Sequence, residues 1–129
     1  MKKQDKVIKN TKIDYDCITD SLFLYSEHKD YSFSKNIQNL VFDFNSKGEF
    51  LGLEILNASK TLKVSKEGLR SINELSLNIE VEKEVIKIEL QMKYTLRNAL
   101  KESVFAGEKI NQGLIDPFES NFTATTATS

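Results

Sequence analysis

Four residues in "DFNSKGEFLGLE", Asp43, Asn45, Gly48 and Glu54, stand at the spacing of a calcium loop, D-x-[DN]-x-[DN]-G-x5-E. That chemistry needs oxygen ligands at the first, third, fifth and last loop positions, a glycine for the sharp turn, and a helix on each side. The fifth position here is Lys47, an ammonium where an oxygen belongs, and the flanking residues alternate with a strand period. Asn or Asp before a turn and Gly within it also serve the backbone of a hairpin. The sequence therefore assigns this stretch to a turn and expects no metal there. Glu54 is left over. Its neighbours of like parity, Phe50 and Leu56, are apolar, so it is expected to be partly buried and paired with a lysine or an amide.

A second group of acids, Asp14, Asp16 and Asp20, lies in "DYDCITD". Such carboxylates could share acid and base work or hold magnesium. Asp16 and Asp20 also bracket a hairpin loop, where they serve nearby amides. Nothing completes a catalytic set: the single histidine, His28, sits in the polar run "SEHKD", and no Ser or Cys has a nucleophile's surroundings. There is no glycine-rich phosphate loop. The lone cysteine, Cys17, excludes an internal disulfide and a cysteine-built zinc cage. The expectation is a non-enzymatic protein with no cofactor and no catalytic residue.

The elements that would carry these residues must fit in 129 residues, one domain's worth. With 40% hydrophobic and 29% charged residues and no apolar run of membrane length, a soluble protein is expected. The N-terminus has no signal-peptide pattern, so cytoplasm is the expected location. A net charge of −1 gives no field for nucleic acid. Residues 1–12, however, hold Lys2, Lys3, Lys6, Lys9 and Lys12 against Asp5, a local +4 that leaves −5 for the rest. This reads first as a solvated leader and second as an arm for RNA, the ribosome or an acidic partner, though no arginine or aromatic is interleaved.

Periodicity supplies the strands. Lys12–Asp16 and Ser21–Glu27 read as a hairpin, Tyr31–Ile37 as a third strand, and "NLVFDF" and "FLGLEIL" as a second hairpin turning at Gly48. A short helix is predicted over 66–74 with Ser65 as its cap. Leu75, Leu77, Ile79 and Val81 are odd-numbered, Ile86 to Tyr94 even, so a further hairpin turns at "EKE". "TLRNALKESVF" fits an amphipathic helix with Leu96, Ala99, Leu100 and Val104 on one side. The predicted class is α+β: an antiparallel sheet of about five N-terminal strands, a short helix, a hairpin and a C-terminal helix. The expected organisation is a basic leader (1–11), a β-rich unit (12–74), a hairpin plus helix on the same core (75–106) and a mostly flexible tail (107–129).

Both parities are apolar in "LFLY" and "FLGLEIL", and a sheet apolar on both faces must be covered on both. The expectation is cover by the C-terminal hairpin and helix or by a second copy, the homodimer being favoured. Phe23, Tyr25, Phe50, Leu56, Leu96 and Leu100 are the candidate interaction residues.

Two blocks carry a resemblance. Tyr15, Asp16, Asp20, Leu22, Phe23 and Leu24, then Asp43, Phe44, Asn45 and Gly48, then Gly52 through Asn57, Ala58 and Ser59, are similar to DUF2283, small prokaryotic proteins of unknown function. The resemblance covers roughly residues 12–62. It implies a short β-rich unit with no established catalysis and supplies no catalytic residue. Some members are encoded beside ribonuclease-like toxins, which implies an antitoxin role for those members. The function expected is a protein-interaction module that self-associates. The alternatives are an antitoxin that lays residues 95–122 across a toxin as a helix, or an RNA-associated protein using the lysine arm.

Overall fold

The computed structural model describes residues 5–8, 11–26 and 30–125. Their elements run β1 (Asp5–Ile8), β2 (Thr11–Asp16), β3 (Ser21–Ser26), β4 (Tyr31–Ile37), β5 (Leu40–Asn45), β6 (Phe50–Ile55), α1 (Ala58–Leu62), α2 (Lys66–Leu69), β7 (Ile72–Val81), β8 (Val85–Leu96), β9 (Ala99–Ile110) and β10 (Phe118–Thr125). Two five-stranded sheets result, ordered β2-β3-β6-β5-β4 and β1-β10-β7-β8-β9. Every pairing is antiparallel except that of β1 with β10.

The sheets share one core. Leu22, Leu24, Leu40, Phe42, Leu53 and Ile55 of the first join Leu75, Leu77, Ile79, Val81, Ile86, Ile88, Leu90 and Phe122 of the second in a single buried cluster. Each contributes on the order of 1.5–3 kcal/mol through burial. The β7–β8 hairpin, with β10 where a helix was expected, thus covers one face of the first sheet. The mixed parity of "FLGLEIL" also has a local cause. Asp43 pairs with Gly52 but Phe44 pairs with Phe50, so Leu51 is an extra residue, a bulge. The bulge brings Phe50 into the same core as Leu53 and Ile55.

Three expectations are corrected here. The C-terminal helix is absent: residues 95–105 form the end of β8, a two-residue turn and the start of β9. Arg97 and Asn98 both have positive φ, 53° and 63°, the conformation whose twist suits a tight hairpin. Leu96, Leu100 and Val104 are spaced by four, which satisfies a helix and a strand alike. The helix over 66–74 shrinks to α2, preceded by α1 and followed directly by β7 at Ile72; Ser65 does cap α2, its hydroxyl accepting the Gly68 amide at 3.1 Å. The tail contains β10, inserted between β1 and β7 with Phe122 and Ala124 buried, and residues 5–8 of the leader pair with it.

Candidate functional site

Among the described residues a dense polar constellation centres on Asp20, buried in the turn between β2 and β3. Its carboxylate accepts the Tyr15 hydroxyl at 2.6 Å, the Ser59 amide at 3.0 Å and the Ser59 hydroxyl at 2.6 Å. Its own carbonyl accepts the Ala58 amide at 2.8 Å. The N-cap residue of α1, Asn57, is left-handed and makes no side-chain cap. Asp20 supplies that cap from across the chain. Burial alone would raise the Asp20 carboxyl, but the Ser59 hydroxyl, the Tyr15 hydroxyl, the Ser59 amide and the Lys66 charge together hold it below its ordinary value. Burial first, then the bond to Asp20, pushes the Tyr15 hydroxyl well above its ordinary value. Asp16 accepts the Ile18 amide at 2.9 Å, turn chemistry as expected of it.

The calcium-spaced residues are occupied elsewhere. The Asn45 side-chain oxygen accepts the amides of Lys47 at 2.9 Å and Glu49 at 2.8 Å, and its amide nitrogen donates to the Glu49 carboxylate. Asp43 accepts the Ser34 hydroxyl at 2.6 Å. Glu54 lies within the ladder, paired with Phe23 on one side and Val41 on the other, and does not close a loop. It is half-buried on the outer face of the first sheet. Burial raises its carboxyl, opposed by a bond from Ser21 and reinforced by the charge of Asp43. The partner expected was a lysine or an amide, and a serine hydroxyl takes that place. Gly48 holds a positive φ of 80° in this turn. Among the described residues no group of three His, Cys, Asp or Glu is placed to hold a metal ion. Asp14 is exposed, Cys17 is half-buried, and His28 lies outside the described residues.

The candidate interaction residues separate. Phe23, Tyr25 and Leu56 are half-buried on the first sheet, while Phe50 belongs to the core and offers no surface. Leu96 is half-buried and Leu100 exposed. Lys6 falls on β1 and Lys12 is exposed on β2, whereas Lys2, Lys3 and Lys9 lie outside the described residues.

Sequence reasoning named Leu100 but missed the other exposed hydrophobic residues around it on β9. Among the described residues, the exposed large hydrophobic side chains are Ile18, Tyr31, Phe33, Leu100, Val104, Ile110 and Leu114. All but Ile18 belong to β4, to β9 or to the loop after β9. β4 and β9 are edge strands of different sheets, and the Lys109 ammonium of β9 donates to Gln38, in the turn after β4, at 2.8 Å. Phe33 stacks on Phe44 with ring centroids 5.2 Å apart and, with Leu114, Ile115 and Asp116, lines a notch of about 290 Å³. The signal was present as Leu100, Val104 and Ile110 on even positions of one strand. A wider, shallow concavity of about 650 Å³ lies on the polar outer face of the second sheet, among Asn78, Glu89 and Glu108. No helix among the described residues is long and apolar enough to cross a membrane.

Comparisons with known proteins fall on this geometry. Residues 12–59 match DUF2283, described as a protein of unknown function. That segment is the first sheet plus the start of α1, including Tyr15, Asp20 and Ser59. A Methanosarcina mazei protein named "Putative hypoxanthine phosphoribosyltransferase" is 36% identical over 90 residues, 70% of this chain and 73% of that protein. An uncharacterised Methanocaldococcus jannaschii protein is 33% identical over 100 residues, 74% of this chain and 85% of its own. Eleven residues precede residue 12, so a 90-residue match runs past residue 59 into the second sheet. No solved structure matches.

Proposed function

The chain belongs to the DUF2283 family, whose function is unknown, and we propose that it is a non-enzymatic protein-interaction module that self-associates through the apolar edge strand β9. The observation that carries the reading is that, among the described residues, Leu100, Val104 and Ile110 lie exposed on one side of a single edge strand, β9. Apolar side chains scattered singly over a surface need no explanation, but three on one side of an unpaired strand edge mark an interaction site.

The enzyme name attached to the Methanosarcina relative is not carried over. The polar residues that converge in this chain, Tyr15, Asp20 and Ser59, spend their hydrogen bonds on one another. The antitoxin reading needed a helix over residues 95–122, and that segment forms β-strands. The RNA reading rests on a lysine arm that gains no further support from the placement of Lys6 and Lys12.

Light scattering coupled to size exclusion tests the proposal. The mass is expected to approach twice that of one chain as concentration rises, and a double Leu100→Lys, Val104→Lys chain to stay single. A wild-type chain that stays single at its highest soluble concentration overturns the reading.

A further inference from the structure

Resting on that reading, we infer that β9 pairs antiparallel with β9 of a second copy about a two-fold axis through Val104, joining two five-stranded sheets into one. Sheets have edges, and proteins guard them with short strands, charges or bulges. The two sheets here end in β1, β9, β2 and β4. β1 is four residues long. β2 presents Lys12, Asp14 and Asp16 exposed in alternation. β4 carries a bulge, since Tyr31 pairs with Asn45 but Phe33 with Phe44, leaving Ser32 over.

β9 is the exception. It is twelve residues long and regular in its pairing with β8 from Ala99 to Ile110. Leu100, Val104 and Ile110 are 64%, 66% and 69% exposed on its outer side. Its charges come in two pairs, Lys101–Glu102 and Glu108–Lys109, so the middle, Ser103 to Gly107, is uncharged.

Those pairs decide the register. A two-fold axis perpendicular to the sheet keeps outer side chains outer only if it passes through a residue. An axis through Phe105 sets Lys101 against Lys109 and Glu102 against Glu108 in both halves, and like charges directly opposite destabilise a sheet. Moving the axis to Val104 keeps the overlap equally long and opposes no charge to a charge. Lys101 then faces Gly107, Glu102 faces Ala106, and the two Val104 side chains meet. The Phe105 ring already lies over Gly107, its Cζ 3.0 Å from where a Cβ would stand there. The incoming Lys101 ammonium is therefore directed onto an aromatic face. That match between one half of β9 and the other favours a second copy as the occupant.

Disulfide trapping tests it in a Cys17→Ser background. Directly opposed residues in an antiparallel pair lie within disulfide reach, so Val104→Cys is expected to give a covalent dimer about tenfold faster than Glu102→Cys under mild oxidation. Mixing Glu102→Cys with Ala106→Cys is expected to restore fast linking. Equal slow linking of Val104→Cys and Glu102→Cys, with a dimer still seen by light scattering, overturns the β9 pairing but leaves self-association standing. A single-chain mass at every concentration overturns both.

Discussion

The Asp20 carboxylate accepts both the amide and the hydroxyl of Ser59, thirty-nine residues further along the chain, at 3.0 and 2.6 Å. This contact ties the β2–β3 turn to the first turn of α1, and with Tyr15 it accounts for three of the motif residues on which the family resemblance rests.

Asp20→Ala should therefore cost about 3 kcal/mol, since it removes charge-assisted bonds and strands Ser59 and Tyr15 without their acceptor. Asp20→Asn, which keeps one acceptor oxygen, should cost roughly half of that. Urea unfolding followed by circular dichroism measures both. A loss as small as that of an ordinary surface substitution would reduce Asp20 to a bystander.

The two shifted acids predict opposite pH dependences. Asp20 is held below its ordinary 3.8 in the fold, so its contribution is present above that value and lost as pH falls through the lower folded one. The gap between wild type and Asp20→Asn should be widest near neutrality and close in acid. Glu54 is held above its ordinary 4.5, so its contribution is present below that value and lost as pH rises through the folded one. Glu54→Gln should thus gain on wild type as pH rises from about 4 to 7. Unfolding midpoints across pH read both, and parallel curves would contradict the assignments.

Much of the first sheet was legible in the sequence because its strands alternate and its turns carry Asp, Asn and Gly. The β7–β8 hairpin was legible because parity flips between Val81 and Ile86. The rest failed for physical reasons. Leu96, Leu100 and Val104 satisfy both periods, and what decides between them is a left-handed pair at Arg97–Asn98. β10 reads as a polar tail because outward Thr123 and Thr125 mask inward Phe122 and Ala124, whose burial depends on partners far away in sequence. The bulge at Leu51 gave one face the look of two. The bond from Asp20 to Ser59 has no local signal at all.

Gly52 and Gly48 should respond differently to alanine. A Cβ at Gly52 would stand 2.6 Å from the Leu24 carbonyl oxygen and 2.9 Å from the Tyr25 Cα. Backbone cannot yield there as a side-chain tip can, so Gly52→Ala should cost about 3 kcal/mol or more. At Gly48 nothing lies within 4 Å, leaving only the left-handed backbone penalty of about 1–2 kcal/mol. Thermal unfolding of the two variants ranks them, and the reverse order would contradict the close approach of β3 and β6.

Asn45 holds its turn through two amides and the Glu49 side chain. Asn45→Ala should cost about 1–3 kcal/mol, and added calcium should leave the unfolding midpoint of the wild type where it was. A calcium-dependent rise would reinstate the metal loop.

The central claim, that self-association uses the β9 edge, is tested most directly by amide hydrogen exchange at low and high protein concentration. Paired amides exchange slowly, so β9 amides around Val104 should gain protection as concentration rises while those of β2 and β4 keep their rates. Protection at β9 that does not change with concentration, alongside a rise at another edge, would contradict it.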